Sequence, residues 1–427
     1  MVDRSATRSG DRRHVLVIGA GFGGLQCAKA LRNSPVDVTI IDACDYHLFT
    51  PLLYQVASCL LTPSEIAAPV RKIFRGAPNV RYRQDKVVAV DHDAQRVTLA
   101  GGASLDYDVC VIATGSETNY YGNASVEEHA LGLKDLGAAL QLRNHVLTCF
   151  ERATTVDDAA ERERLLTFVI VGAGPTGVEY AGALAEFVRL VVPYEYPELA
   201  AEHVHILLLE GGDRVLSMFK PRLSAYTARQ LAHLDVDVRT KTLVTSADDQ
   251  RVLLHDGTEI ATATMVWTAG VKPRCPGTPA DSHPLGRIKV DDHFRVAGAT
   301  DTYAIGDVAA GPGPHGEVLP MLSPPAIQAG RFVASEILGA QRGPFHYLDK
   351  GTLATIGRRA AVGQIGPVTF TGLIGWLAWL VVHLYYLIGF ENRVRVILRW
   401  AWYYVRLDRP VRIIVRADEP RASDPLG

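Results

Sequence analysis

A chain of 427 residues is too long for one hydrophobic core, so two or three domains are expected. Its formal net charge of −2 leaves no nucleic-acid footprint. Its six cysteines, with no CxxC and no ligand-type spacing, set up neither a metal centre nor a disulfide framework and read as reduced, mostly core thiols.

Met1 to Arg13 is polar and charged and lacks the apolar stretch of a signal peptide, so it reads as a loose tail and the cytoplasmic side is the expected location. Val15-Leu16-Val17-Ile18 reads as a strand, Gly19-x-Gly21-x-x-Gly24 as a tight turn enclosing Phe22 and Gly23, and Leu25 to Leu31 as a helix. Gly19 permits the turn, Gly21 removes the Cβ that would block a pyrophosphate, and Gly24 lets helix and strand pack closely. The helix N-terminus offers free N–H groups and positive partial charge to a diphosphate. A second strand, Val38 to Ile41, ends in Asp42, a carboxylate placed to accept the hydroxyls of an adenosine ribose.

Tyr46 to Gln55 has little polarity and no clean period, and Pro51 breaks any helix there. It reads either as a buried connection or as a wall of the site for the far end of the dinucleotide. Ile66 to Phe74 looks helical. Val80 to Tyr82, Lys86 to Val90 and Arg96 to Leu99 look like a small antiparallel sheet. Tyr107 to Ile112 is a buried strand ending in the turn Ala113-Thr114-Gly115, which can bring the chain back against a cofactor. Helical sequence follows from Lys134 to about Arg164, interrupted near Thr154 to Asp158.

The opening pattern then repeats. Leu166 to Val171 leads into Gly172-x-Gly174-x-x-Gly177, a helix starts at Val178, and Val204 to Leu209 ends in Glu210. The longer gap before the acid is filled by Val191 to Leu199. Val236 to Arg239, Arg251 to Leu254 and Thr264 to Gly270 finish this second unit, and Trp267-Thr268-Ala269-Gly270 repeats the earlier Thr-Gly turn. Thr302 to Ile305 runs into Gly306-Asp307, where the glycine permits close approach and the carboxylate can bind a sugar or ribitol hydroxyl. Two dinucleotide sites in one chain make sense when one cofactor is fixed and one exchanges, a flavin taking a hydride from a nicotinamide. No Ser-His-Asp set or metal cluster is needed, and none is visible.

Phe370 to Phe390 is 21 residues without an acid, Lys or Arg, a length that alone suggests a transmembrane helix. Gly372, Gly375 and a midpoint His383 argue against that, and Trp376, Trp379, Tyr385 and Tyr386 are residues of an interface. In the next segment Val394, Ile397, Leu398, Ala401 and Val405 fall on one helical face and Arg395, Arg399, Trp402 and Arg406 on another, with Pro410 as the stop. Between Glu391 and Arg416 seven arginines face two acids, a balance that suits an anionic bilayer surface.

These units, together with His47-Leu48-Phe49-x-Pro51-Leu52-Leu53-Tyr54-Gln55-Val56-Ala57, Asp349-Lys350-Gly351-x-Leu353-Ala354-Thr355-Ile356-Gly357-Arg358 and Gly389-Phe390-x-Asn392-Arg393, resemble the type II NADH dehydrogenases, the non-pumping NADH:quinone oxidoreductases, from about Val15 to about Arg412. The resemblance implies an α/β fold of two Rossmann-like domains, the second inserted into the first, plus a C-terminal helical membrane-anchoring region. The FAD-binding domain would be 14–116 with 271–345, the NADH-binding domain 117–270, and the membrane region 346–427. It implies that Gly19, Gly21, Phe22, Gly23, Gly24, Asp42, Pro51, Thr114, Gly115, Gly306, Asp307 and Gln328 hold FAD non-covalently. Gly172, Gly174, Gly177, Glu210 and Gly270 would hold NADH, Glu210 favouring it over NADPH by repelling a 2′-phosphate. Glu179, Lys350 and Gln328 are the catalytic candidates: Glu179 matches a glutamate near nicotinamide and flavin, and Lys350 a lysine beside the flavin ring. The partners implied are a quinone, the lipid surface at the cytoplasmic face of the cell membrane, to which the protein would bind peripherally and monotopically, and a second copy in a homodimer. One departure is Ser323-Pro324-Pro325-Ala326-Ile327-Gln328, where the family pattern is Ala-Gln-x-Ala-x-Gln: Gln328 is kept and Pro324 replaces the first glutamine. The alternatives are a sulfide:quinone oxidoreductase, which needs paired cysteines where Cys110, Cys149 and Cys275 are dispersed, and a slow-turnover NADH-sensing flavoprotein.

Overall fold

The first β-branched run forms β1 (His14–Ile18), buried from Val15 on, and the glycines turn it into α1 (Phe22–Ala30). In this computed structural model, which describes residues 12–199, 204–277, 282–340, 343–406, 409 and 411–414, β2 (Asp37–Asp42) then ends on the expected acid. All but the last two residues of the expected N-terminal tail, and Pro410, lie outside the described residues. The short helix α2 (Leu53–Ala57), β3 (Val109–Ile112) and α3 (Leu136–Thr155) follow. The second repeat gives β4 (Thr167–Val171), α4 (Pro175–Leu190), β5 (His205–Leu209) and β6 (Thr264–Trp267). The C-terminal part holds α5 (Ser323–Ile337), β7 (Thr352–Gly357), α6 (Gly372–Tyr386) and α7 (Phe390–Arg406). Prolines open α4 and α5, where the missing N–H would have no helical partner anyway.

The chain packs as two units. The first comprises the described parts of Met1–Leu48, Ala67–Glu117 and Val271–Lys350. Its five-stranded parallel sheet runs Thr302–Ala304, β3, β1, β2, Val80–Gln84. The second comprises the described parts of Phe49–Ile66, Thr118–Gly270 and Gly351–Gly427. Its parallel sheet runs Leu131–Gly132, β6, β4, β5, Val236–Arg239. The four strands around each glycine loop share one order (β3, β1, β2, Val80–Gln84 and β6, β4, β5, Val236–Arg239), so the glycine repeat in the sequence is a repeat of fold, whereas the outermost strand comes last in the first unit (Thr302–Ala304) and first in the second (Leu131–Gly132). The central strands of each sheet are buried on both faces, as their nearly unbroken apolar runs require.

Several expectations shift. The described C-terminal residues do not form a region of their own: from Gly351 on, those described belong to the second unit, as do Phe49–Ile66 and therefore Pro51. Ile66 to Phe74 is not one helix, because Ala67–Pro69 pairs antiparallel with Tyr46–Leu48 and separates the helical turn Pro63–Ile66 from Val70–Ile73. Pro69 biases the residue before it away from helix. Val80–Gln84 joins the parallel sheet beside β2, and the third strand of the small antiparallel sheet is Ser104–Asp106. The long apolar run is shortened at both ends: Val368–Thr371 is a strand and α6 has 15 residues. No described helix is long and apolar enough to cross a membrane.

One stripe of α4 closes the second unit over a sheet edge. β7 is the edge of a three-stranded antiparallel sheet, with unpaired backbone groups on one side. Glu179, Gly182 and Glu186 lie on one face of α4, spaced three and four apart. Glu179 Oε1 accepts the Thr355 N–H at 3.2 Å, and Glu186 Oε1 accepts the Arg358 N–H. A Cβ at Gly182 would strike the Ile356 carbonyl oxygen, so the helix reaches this distance only through the glycine. Behind it Glu186 Oε2 accepts from the Tyr403 hydroxyl at 2.7 Å and from Arg409 at 3.3 Å. Arg409, 1% exposed, also donates to the Ser58 carbonyl at 2.7 Å.

Candidate functional site

The first glycine loop separates into two kinds of position. Gly19 has φ +105° and no room for a Cβ against the Ala113 carbonyl, and a Cβ at Gly24 would strike Gly19 O. These two set the turn and the helix–strand approach. Gly21 is different: a Cβ there meets no protein atom within 4 Å. It faces a cavity of about 1040 Å³ lined also by Asp42, Thr114, Gly115, Lys86 and Arg274. Asp42 braces the loop, Oδ2 accepting the Ala20 N–H at 2.6 Å and Oδ1 the Cys44 N–H at 2.8 Å. Burial holds its carboxyl above the ordinary range, against the two N–H donors and Arg274. Each oxygen keeps a lone pair for a ribose hydroxyl. The volume, the open glycine, the acid and the two cations fit a dinucleotide.

Around this loop the structure adds partners that the motifs alone did not reveal. The Thr114 hydroxyl donates to the Arg274 carbonyl at 2.5 Å, and the Ser116 hydroxyl donates to Asp307 Oδ2 at 2.5 Å, tying the Thr-Gly turn to Gly306-Asp307. His47 is 1% exposed, its Nδ1 lies 2.8 Å from the Ala20 carbonyl, and the edge of its ring meets Phe22. Burial pushes it down to about 4, so the ring is neutral and Nδ1–H is the donor. Its Nε2 is a buried acceptor without a protein partner. Tyr46 to Leu48 is thus the part of that ambiguous stretch that belongs with the first loop, whereas Pro51 opens a short helical turn in the second unit.

The second loop is built the same way. Gly172 has φ +99° and lies against Thr268 and Ala269, Gly177 against Gly172 O, and Gly174 faces open space. Glu210 Oε2 accepts the Ala173 N–H at 2.8 Å and Oε1 the Gly212 N–H at 2.7 Å, the bracing that Asp42 gives the first loop. The Thr268 hydroxyl donates to the Val171 and Gly172 carbonyls, and Gly270, with φ +114°, packs against the Tyr121 hydroxyl. Arg214, whose side chain donates to the Ser217 carbonyl, forms no described ion pair with Glu210.

Glu179 sits in the first turns of α4 and is 8% exposed. Its Oε1 accepts both the Thr355 N–H and the Trp379 Nε1–H, each at 3.2 Å. Burial outweighs these two donors and pushes the carboxyl up to about 8, so it carries a proton at neutral pH. Trp379 is stacked on His383 at 4.0 Å and lies edge-on to Tyr54. In the first unit, Gln328 spends its amide on one backbone residue: Nε2 donates to Leu348 O at 2.9 Å and Oε1 accepts the Leu348 N–H at 3.0 Å. It therefore holds the strand of chain that leads to Lys350, which is exposed. Neither Gln328 nor Lys350 lines the cavity at Gly21. Pro324 lies in the first turn of α5, a position that tolerates it.

Residues 13–330 match the family model described as pyridine nucleotide-disulphide oxidoreductase. Over 415 residues the chain is 38% identical to the type II NADH:quinone oxidoreductase NdhA of Mycobacterium tuberculosis, covering 92% of this chain and 87% of that protein. The chain belongs to the type II NADH:quinone oxidoreductases. A second member from the same organism, Ndh, is 37% identical over 91% of this chain and 88% of its own length. Among solved structures, the type II NADH dehydrogenase of Plasmodium falciparum in complex with NADH superposes with a TM-score of 0.87 over 95% of this chain and 100% of its own. At 19% identity that likeness establishes the fold. The sulfide:quinone oxidoreductase of Aquifex aeolicus superposes less well, with a TM-score of 0.68.

Proposed function

We propose that the chain is an FAD-dependent NADH:quinone oxidoreductase that moves electrons without pumping protons, as a peripheral, monotopic protein on the cytoplasmic face of the cell membrane. The observation that carries this reading is the duplicated cradle. Each unit has the same order of four strands around its loop, two glycines packed tight, one glycine open to a ligand and one acid bracing the loop. Bound FAD supplies the redox chemistry, two electrons taken as hydride from NADH and passed to a quinone. Gly21, Asp42, Thr114, Gly115 and Asp307 would hold it, and Gly172, Gly174, Gly177 and Glu210 would hold NADH. A carboxylate at the end of the second strand pairs with a ribose 2′-hydroxyl and disfavours a 2′-phosphate.

NADH and quinone give NAD+ and quinol only with one proton from solvent. Glu179 holds a proton at neutral pH and is the group we assign to deliver it. Gln328 supports Lys350 through Leu348, and a cation at Lys350 would favour an anionic reduced cofactor. The membrane reading rests on apolar side chains left in solvent: Ile374, Leu377 and Val381 on α6 and Ile397, Leu398 and Trp402 on α7, the latter flanked by Arg395, Arg399 and Arg406. A homodimer is the assembly we expect, read by sedimentation in detergent.

The deciding measurement is the absorbance of the purified protein before and after NADH, then after a soluble quinone. A yellow protein that bleaches with NADH and recovers with quinone is the expected result. A colourless protein that takes up no FAD overturns the reading. Bleaching without recovery points to a sensor, and bleaching by sulfide to the sulfide enzyme. Proteoliposomes that build a proton gradient above leak during turnover would refute the absence of pumping.

A further inference from the structure

The geometry points to Trp379 as a positioning residue for Glu179, one that fixes which carboxyl oxygen carries the proton. This rests on the assignment of proton delivery to Glu179. Both hydrogen bonds that Glu179 receives converge on Oε1, from the Thr355 backbone and from the indole of Trp379. No described residue donates to Oε2. An oxygen that accepts two N–H bonds is the carbonyl of a neutral carboxylic acid, so the hydroxyl is at Oε2. The Thr355 donor belongs to the strand edge and comes with the fold. The indole is a side-chain choice at a position where a phenylalanine would keep an aromatic ring, smaller and without an N–H.

Trp379 is itself held rigidly. It is 1% exposed, stacked on His383 with 24° between the rings, edge-on to Tyr54 at 6.4 Å and tilted against Trp400 at 5.7 Å. His383 Nδ1 lies 2.7 Å from the Trp379 carbonyl, which pins the ring pair one turn apart on α6. The titratable groups around Glu179 are Tyr54 from α2, His383 from α6 and Glu186 two turns along α4. No described Lys or Arg pairs with Glu179. Burial holds His383 down to about 4, so it stays neutral at working pH. The alkaline limb of the pH profile then belongs to Glu179, and each N–H donor to Oε1 keeps that limb lower than burial alone would set it.

The test is kcat against pH for NADH oxidation with a short-chain soluble quinone, in the FAD-loaded wild type, Trp379→Phe and Glu179→Gln. Trp379→Phe keeps an aromatic six-membered ring and removes the N–H with the pyrrole half of the indole. Its alkaline limb is expected to move up by about 1 unit, leaving it relatively more active than wild type above the wild-type limb. Glu179→Gln is expected to lose the limb. An unmoved limb in Trp379→Phe, with the limb lost in Glu179→Gln, overturns the positioning role and leaves the proposed function intact. A limb retained in Glu179→Gln overturns the assignment of Glu179 and the inference with it. Should Trp379→Phe not fold, the wild type is read alone by infrared difference against Glu179→Gln. A carboxylic C=O band at the low, doubly hydrogen-bonded end supports the inference, and a band at the free-carbonyl end overturns it.

Discussion

Two glycines in each loop are fixed by their own backbone and one is left open, so folding and the proposed binding can be separated residue by residue. Gly21→Ala adds a methyl group that meets no protein atom. Thermal melts of the FAD-free protein should therefore match wild type, while FAD titration should show weakened uptake; equal affinity would mean that the pyrophosphate passes elsewhere. The motif with its strand and acid was legible because glycines, apolar runs and a terminal carboxylate are local signals. His47, Ser116 and Arg274 were not, since each meets the loop from a distant stretch and carries no spacing signature. Glu179 makes a pH prediction of its own. Burial raises it to about 8 when folded, whereas the unfolded chain titrates near the ordinary glutamate value of about 4.3. Its contribution to stability is complete below that lower value, declines as the unfolded chain ionises, and is gone once pH passes about 8. The melting temperature of wild type should thus fall more between pH 5.5 and 8.5 (~3 units within that window) than that of Glu179→Gln. Parallel curves for the two proteins would show that the buried carboxyl does not titrate there.

At the scale of elements, α4 has two tasks on two sides of its length. Its N-terminus forms the second glycine loop, and the stripe Glu179, Gly182, Glu186 closes the edge of β7. Gly182→Ala forces the helix away from the Ile356 carbonyl, at a cost of about 1–3 kcal/mol or more. A drop of several degrees in melting temperature checks it, and an unchanged melt would mean the helix has room to yield. The sequence announced α4 but not this stripe, because β7 arrives some 170 residues later by number (Glu179 to Thr355, |i−j| = 176). The same limit explains the misread helix from Ile66 to Phe74, where pairing of Ala67–Pro69 with Tyr46–Leu48 overrode local pattern. On α7 the apolar stripe with Ile397 and Leu398 was legible. The inward face, Val396, Trp400 and Tyr403, was not, because its partners are distant in sequence: Trp400 donates to Gln55 and Tyr403 to Glu186.

For the whole molecule, the prediction concerns where the protein resides. Val381→Glu with Leu398→Glu changes two exposed side chains, so the fold should be unaffected. Co-sedimentation with anionic vesicles should weaken by tenfold or more, from about 1.5–3 kcal/mol of apolar burial per side chain. Retained binding would place the contact on another face. Domain order was readable in outline from the repeated glycines, but the allegiance of the described residues from Gly351 on was not, since it depends on long-range pairing. That allegiance bears on how the chain tolerates shortening. Arg409 lies past the last helix, yet its guanidinium is sealed within the second unit against Glu186 and the Ser58 carbonyl. A chain cut after Arg406 would strand Glu186 without its countercharge, a loss of about 3–5 kcal/mol. The C-terminal helices are accordingly clasped rather than appended, and trimming them to obtain a water-soluble catalyst would unlatch the second unit.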